Sequence, residues 1–145
     1  MIHITEIIDI TEDVMRGFSE LIPQLSTTSP PPTADELSDI AANPNTVLLA
    51  ARDSDTGDFI GTLTLAFFRI PTGLQARIED VVVHEKARGR KVGRNLTNAA
   101  IEKARTAGAK SIGLTSRPSR EAANGLYTSM GFERRDTNVY RLKLV

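Results

Sequence analysis

The residues from 81 to 94 combine an apolar strand, a basic turn and the start of a helix, and their types suit the binding of an anion. Three consecutive valines, Val81, Val82 and Val83, indicate a buried strand. The basic turn that follows contains Arg88, Gly89, Arg90, Lys91, Val92, Gly93 and Arg94. A turn from a strand into a helix exposes unpaired backbone N–H groups, and glycine lets a phosphate approach them closely. The segment alone therefore fits either a pyrophosphate site or an exposed basic turn that only caps a helix.

The elements that would hold this turn in place can be predicted from the hydrophobic pattern of the remaining chain. A first helix is expected to begin after Thr11 and to end near Pro23, because proline breaks the interior of a helix. Further helices are predicted for residues 33–42, 92–106 and 119–130. Strands are predicted for residues 2–8, 47–51, 59–68, 76–83, 110–116, 132–135 and 139–144.

Helices and strands thus alternate irregularly, with strand hairpins towards both ends of the chain. This order indicates an α+β fold with a mixed sheet and argues against a doubly wound parallel sheet. The 145 residues match the length of one ordinary domain, so a single domain over 1–145 is expected.

Composition excludes several classes of function. Lysine plus arginine and aspartate plus glutamate number 18 each, which argues against a general basic surface for nucleic acid. The chain has no cysteine, which removes disulfides, thiolate zinc sites and a cysteine nucleophile. The two histidines, His3 and His84, show no metal-ligand spacing, so no metal is expected. No signal peptide and no membrane span are visible, so a cytoplasmic protein without membrane contact is predicted.

Four short segments carry a resemblance to a known family. They are Ile78–Val83, Arg88–Arg94, Ala122–Tyr127 and Met130–Phe132. In this order and at these separations, they resemble the GNAT superfamily of acyl-CoA-dependent N-acetyltransferases. The family's turn motif is Arg/Gln-x-x-Gly-x-Gly/Ala; the chain matches it at Arg88 and Gly93 but has Lys91 at the first glycine position. The resemblance implies a GNAT domain with a central mixed, mostly antiparallel β-sheet flanked by helices.

The resemblance also implies how the chain would bind acetyl-CoA. Val81, Val82 and Val83 would splay from the neighbouring strand and pair with the pantetheine arm of the cofactor. The turn from Arg88 to Arg94 would cradle the pyrophosphate with its backbone amides. Asn124, on a later helix, matches a family position that often contacts the cofactor.

Tyr127 matches the tyrosine that commonly protonates the leaving thiolate in this family. A tyrosine with a pKa of about 10 is a reasonable acid for a thiol with a pKa of about 8.5. The alternative role for Tyr127 is that of a packed aromatic ring beside Leu126 and Phe132.

The attacking amine must lose a proton, and Glu79 and Asp80 are the candidate bases, acting through water. As neighbours on a strand they are expected to point to opposite faces, with Glu79 on the face of Val81 and Val83. Glu79 also matches a family position that often serves as base, so it is favoured over Asp80. A reaction with no dedicated side-chain base is the third alternative. His84 could titrate near neutral pH, but it is interpreted as a solvated loop residue.

The acceptor site is predicted from segments that border the amine pocket in this family. These segments carry Arg69, Thr72, Ser116 and Arg117. The two arginines either bind a carboxylate or phosphate group of the acceptor, or are solvated surface side chains.

The chain is therefore expected to transfer an acetyl group from acetyl-CoA to a primary amine by direct attack, in agreement with the absence of cysteine. A small-molecule amine is favoured because the compact chain has no added peptide-reading module. The alternatives are a protein lysine or N-terminal amine as acceptor, or a non-catalytic acyl-CoA-binding regulator. The presence of Tyr127 and Glu79 argues against the regulator. The last strand, Val139–Leu144, predicts a sheet edge or a homodimer contact.

Overall fold

A computed structural model describes all 145 residues, which form two compact units, Met1–Leu114 and Thr115–Val145. The elements of the larger unit are β1 Ile2–Glu6, α1 Glu12–Leu25, α2 Ala34–Ala42, β2 Thr46–Asp53, β3 Phe59–Ile70, β4 Gly73–Val83, α3 Val92–Ala107 and β5 Ile112–Gly113. A short 3-10 helix, Glu85–Ala87, lies between β4 and α3. The smaller unit contains α4, Glu121–Ser129. None of the helices combines the length and the apolar content that crossing a membrane requires.

The five strands form one sheet in the order β1-β2-β3-β4-β5. The first four strands pair antiparallel, whereas β4 and β5 pair parallel across the connection through α3. This mixed, mostly antiparallel sheet with flanking helices confirms the predicted α+β class.

The first two helices show which local signals were reliable. α2 begins with a reciprocal capping box, in which Thr33 and Glu36 each accept the other's backbone N–H. α1 continues past Pro23, where the sequence predicted its end. Proline occupies the last turn, and the N–H of Ser26 donates to the carbonyl of Ile22 at 2.9 Å, which closes that turn.

Helices cover both faces of the sheet. α1 and α2 contribute to a core on one face, whose members include Phe18, Leu21, Leu37, Leu48, Phe59 and Val82. α3 packs on the opposite face, where a Cβ added at Gly61 would lie 2.9 Å from Cγ1 of Val92 and 3.2 Å from Cδ1 of Leu96. Glycine at position 61 therefore allows the start of α3 to lie directly against β3.

The smaller unit corrects one prediction about the end of the chain. Strands were predicted for residues 132–135 and 139–144, but the structure has no strand there. A strand needs a neighbour for its backbone hydrogen bonds, and two strands joined only to each other are marginal in water. Tyr140, Leu142 and Leu144 alternate as in a strand, yet all three side chains are exposed. The homodimer predicted from this strand thus loses its structural argument and stays a prediction.

Candidate active site

An irregularity in β4 marks the place where the candidate residues begin. The pairing of β3 with β4 passes from Thr64–Glu79 to Thr62–Val82, so β4 has one extra residue in between. Asp80 lies within this bulge and has a φ of 49°. A bulge bends its strand and increases the local twist.

The bulge lies a few residues beyond the end of the pairing between β4 and β5. The sequence predicted a strand over residues 110–116, but β5 contains only Ile112–Gly113 and pairs with β4 only at Ala76 and Arg77. Beyond Arg77, β4 has no pairing with β5. The β4 edge at Val81 and Val83 is therefore not paired with β5, and such an edge can accept an extended chain as an added strand.

The bulge also changes the face on which Glu79 lies. The sequence predicted Glu79 on the face of Val81 and Val83. The register instead pairs Glu79 with Thr64 and Val82 with Thr62. Because cross-strand partners share a face, Glu79 and Val82 lie on the same face of the sheet, and Val83 lies on the other. That prediction is wrong because strict alternation fails across an extra residue.

Two acidic residues and one arginine lie together at this part of β4. Arg77 Nε donates to Glu79 Oε1 in an ion pair. Arg77 was not among the predicted site residues, although its position two residues before Glu79 places both on one face of the strand. Burial, followed by the charge of Glu79, raises the pKa of Asp80. The two adjacent carboxylates therefore have different surroundings, a pattern typical of sites that perform acid–base chemistry.

The predicted acceptor residues of the β3–β4 hairpin lie elsewhere. Arg69 pairs with Leu74 beside the hairpin turn, about 17 Å along the sheet from Glu79 and on the opposite face. The carbonyl of Thr72 accepts a hydrogen bond from Lys110 Nζ at 2.8 Å. The structure therefore does not bring Arg69 together with Glu79.

The turn between β4 and α3 has two residues in the left-handed region. Gly89 has a φ of 84° and Lys91 has a φ of 62°. Lys91 directly precedes α3, and no side chain caps this helix. Bonding within the helix begins with the N–H of Asn95, which donates to Lys91 at 3.0 Å. The amides of Val92 and Gly93 therefore have no acceptor within α3 and lie at the positive end of its dipole.

Two other amides of the predicted cradle are used inside the turn. The N–H of Arg88 donates to the carbonyl of Glu85 at 3.4 Å, and that of Arg90 donates to Ala87 at 3.3 Å. The Arg90 guanidinium contacts Asp53, with 2.8 Å between Nη1 and Oδ2. The amides at the start of α3 are consequently better placed than those of Arg88 and Arg90 to bind an anion.

The first half of the turn is tied to α1. The N–H of Glu85 donates to Gln24 Oε1 at 2.8 Å, and His84 Nε2 lies 3.6 Å from Glu20 Oε2. His84 Nδ1 accepts the N–H of Lys86 at 3.2 Å. Through its contact with Glu20, the His84 side chain connects the turn to α1. It is only 13% exposed and is therefore not the solvated residue that the sequence predicted.

Lys91 provides a test of the turn's conformation. Replacing Lys91 with glycine is expected to stabilise the protein by about 0.5–1 kcal/mol, because glycine adopts a positive φ without the steric cost paid by lysine. The free energy of unfolding from urea titration measures this change. Lys91→Ala is the matched control, since it removes the same charge but keeps a Cβ. Equal stabilisation by both variants would show that charge, and not backbone conformation, is responsible.

The smaller unit carries the remaining candidates. Asn124 Nδ2 donates to the carbonyl of Arg117 at 3.0 Å, so this side chain closes the turn that precedes α4. Tyr127 packs edge-on against Phe132, with 5.7 Å between ring centroids. Burial raises the pKa of Tyr127, so its phenol carries a proton at neutral pH. The Oγ of Ser116 is buried and makes no hydrogen bond within the chain, which leaves it able to bond a ligand.

The predicted residues therefore fall into two groups. In the larger unit, Glu79, the valines 81–83 and the turn 88–94 lie on one continuous segment that runs from β4 into α3. In the smaller unit, Ser116, Arg117, Asn124 and Tyr127 lie on α4 and the segment before it.

Comparisons with known proteins identify the family of this chain. An acetyltransferase (GNAT) family model matches residues 9–132. A Trypanosoma brucei acetyltransferase of known structure is 25% identical, with a TM-score of 0.80 over 99% of this chain and 100% of its own. No curated protein matches the chain.

Two more distant structures share the fold. A glucosamine-6-phosphate N-acetyltransferase from Arabidopsis thaliana is 19% identical, with a TM-score of 0.82 over 98% of each chain. A ribosomal-protein-alanine N-acetyltransferase from Brucella melitensis biovar Abortus 2308 is 17% identical, with a TM-score of 0.76 over 100% of each chain. Because the family model covers most of the sequence and the observed sheet is that of its structural neighbours, this chain belongs to the GNAT family of acetyltransferases.

Proposed function

We propose that this protein is an N-acetyltransferase that moves an acetyl group from acetyl-CoA to a primary amine, and that its acceptor is a small molecule. The observation that carries the proposal is the uncapped start of α3, where left-handed Gly89 and Lys91 precede the outward amides of Val92 and Gly93. This turn directly follows a strand edge that β5 leaves unpaired. A strand edge suits the amides of pantetheine, and a helix start suits a pyrophosphate.

In this proposal each part of the segment binds a different part of acetyl-CoA. Val81, Val82 and Val83 offer their backbone groups to the pantetheine arm. The turn from Arg88 to Arg94 binds the pyrophosphate mainly through the amides at the start of α3, and the exposed side chains of Arg88 and Lys91 add positive charge. Asn124 is proposed as a further cofactor contact from α4.

The proposed reaction is a direct transfer. Glu79 accepts a proton from the amine through a water molecule, and the free nitrogen lone pair forms a bond with the thioester carbon. The carbon–sulfur bond breaks, and the departing thiolate takes the proton of the Tyr127 hydroxyl. The new amide nitrogen loses its second proton to solvent, Glu79 also releases its proton, and solvent returns one proton to Tyr127; from a protonated amine the products are an amide, CoA and one proton. Burial supports this role for Tyr127 because it keeps the phenol protonated.

The nature of the acceptor is inferred from charges on the sheet. Arg77 and Glu79 are 42% and 46% exposed, so a polar amine can reach both charges. Ser116 and Arg117 are proposed as further acceptor contacts, and Arg69 stays a candidate despite its distance from Glu79. A protein amine is the alternative acceptor. A cytoplasmic location and a homodimer stay predictions of the sequence.

The proposed function is tested by incubating the purified protein with acetyl-CoA and a panel of small primary amines beside a lysine-containing peptide. Release of thiol and the mass of the acetylated product are measured together. We expect amine-dependent release of CoA, with the highest kcat/KM for a small amine. Tight CoA binding without any acetylated product would instead indicate a binding protein, and preference for the peptide would favour the protein acceptor.

The two adjacent carboxylates can be distinguished by isosteric substitution. Glu79→Gln is expected to lower kcat/KM by about a hundredfold, the lower end of the range for a general base, because the base acts through water. Asp80→Asn is the matched comparison, since it removes a charge from the neighbouring position. A large loss for Asp80→Asn with little change for Glu79→Gln would identify Asp80 as the base, as its raised pKa would also permit. No loss in either variant would exclude both.

A further inference from the structure

We propose that Asp53, at the end of β2, is a positioning residue for cofactor binding: its buried carboxylate holds Arg90 and so keeps the turn before α3 in its binding conformation. Asp53 lies far from this turn in sequence and matches none of the family motifs. The inference rests on the proposed function, because it takes the turn as the site of the CoA pyrophosphate.

The carboxylate of Asp53 is surrounded by donors. Its side chain is 10% exposed, and Oδ2 accepts a hydrogen bond from Nη1 of Arg90 at 2.8 Å. Oδ1 accepts the N–H of Asp55 at 2.9 Å. The main chain of Asp53 is held as well, since its N–H donates to Asp58 and its carbonyl accepts from Gly57. These hydrogen bonds fix both the main chain and the side chain of Asp53, so its carboxylate can hold Arg90 of the turn in one position.

Asp53 carries the negative charge that holding the Arg90 guanidinium requires. The N–H of Asp55 and then the Arg90 side chain lower the pKa of Asp53, so the carboxylate is ionised at neutral pH. A buried carboxylate without its cationic partner is strongly unfavourable. The ionised Asp53 carboxylate therefore holds the Arg90 guanidinium, with 2.8 Å between Oδ2 and Nη1.

Arg90 lies between the two left-handed residues of the turn, Gly89 and Lys91. Glycine adopts this conformation readily, but lysine does so only at a cost, and a strained residue persists only where its surroundings determine its conformation. The ion pair between Arg90 and Asp53 fixes the residue that directly precedes Lys91, and we call this contact the anchor of the turn. Loss of this anchor would let Lys91 relax and would move the amides of Val92 and Gly93.

A direct role for Arg90 as a pyrophosphate ligand makes the opposite prediction. If the guanidinium bound the cofactor, removal of the Asp53 charge would free it and tighten CoA binding. If Asp53 positions the turn, the same change weakens CoA binding. The sign of the effect therefore separates the two roles.

The test compares Asp53→Asn with Asp58→Asn by titration calorimetry with CoA. In the wild type, Oδ1 of Asp53 accepts the N–H of Asp55 and Oδ2 accepts Arg90. Asp53→Asn has only one side-chain oxygen, which cannot accept both donors in the same geometry. Asp58 also pairs with a cation of the turn region, Lys86, but at 3.7 Å and with both side chains about half exposed, which makes it a matched control. We expect Asp53→Asn to raise Kd for CoA roughly tenfold and Asp58→Asn to leave it within about twofold.

Arg90→Gln and the double variant complete the test. We expect Arg90→Gln to weaken CoA binding and Asp53→Asn to add little in its background, because the two residues act as one unit. Additive effects, or an unchanged or lower Kd for Asp53→Asn, would overturn the proposal. A wild-type protein that does not bind CoA would overturn both the proposed function and this inference, whereas normal wild-type binding with an unaffected Asp53→Asn variant would overturn the inference alone.

A second measurement covers the case in which Asp53→Asn does not fold. Exchange of the hydrogen-bonded amides of Arg88 and Asn95, whose acceptors are Glu85 and Lys91, is followed in Arg90→Gln without CoA, beside Lys86→Gln as the control. A positioning role predicts faster exchange in Arg90→Gln only. Equal exchange in the two variants would show that Arg90 does not hold the turn.

Discussion

Replacing Tyr127 with phenylalanine is expected to lower kcat by about 10²- to 10⁴-fold while leaving the affinity for CoA nearly unchanged, the range typical of one general acid. Phenylalanine keeps the ring and therefore the edge-on contact with Phe132, which has 5.7 Å between centroids. It removes only the hydroxyl proton that the thiolate is proposed to take. Burial raises the pKa of Tyr127 above its ordinary value of 10.0, so the proton is present throughout the neutral range.

The measurement is single-turnover acetyl transfer at saturating amine, so that chemistry and not product release is observed. The chain offers a matched control in its other tyrosine, Tyr140, which is 88% exposed. Tyr140→Phe removes the same hydroxyl without touching a candidate site. A Tyr127→Phe variant with unchanged kcat would show that Tyr127 only packs against Phe132, and the acid would then be sought in ordered water or Ser129.

Replacing Gly93 with valine is expected to weaken CoA binding by on the order of a hundredfold or more, because several charge-assisted hydrogen bonds to the pyrophosphate are lost together. Gly93 lies in the first turn of α3, and its carbonyl is held by the Thr97 hydroxyl at 2.7 Å. The backbone at this position is therefore ordered before any ligand arrives. A branched side chain next to the outward amides would obstruct the approach of a phosphate.

Calorimetry with CoA and urea titration of the same samples separate binding from folding. Asn98→Val is the control, since it places the same β-branched residue at an exposed position of the same helix. Gly93→Ala should give an intermediate loss, and Arg88→Ala a smaller one, because the pyrophosphate charge is shared with backbone amides. Normal CoA affinity in a folded Gly93→Val variant would contradict the assignment of this turn as the pyrophosphate site.

The elements that the sequence predicted correctly depend on local interactions. The capping box of Thr33 and Glu36 sets the start of α2, and Gly108 ends α3 in the left-handed conformation that glycine favours. The order of helices and strands up to β4 and the family motifs can be read in the same way, because each depends on residues close together in the chain. This local information was sufficient for the α+β class and for the family.

The features that only the tertiary structure decided depend on pairing between distant segments. The bulge at Asp80, and with it the face of Glu79, is visible only when β4 is aligned with β3. The strand predicted for residues 139–144 has the right alternation, but alternation does not supply a neighbouring strand. The link from Asp53 to Arg90 joins the end of β2 to the turn before α3. The sequence therefore predicted which residues are candidates to bind a cofactor and transfer a proton, whereas the fold decided which charges face each other, because a carboxylate finds its partner through space and not along the chain.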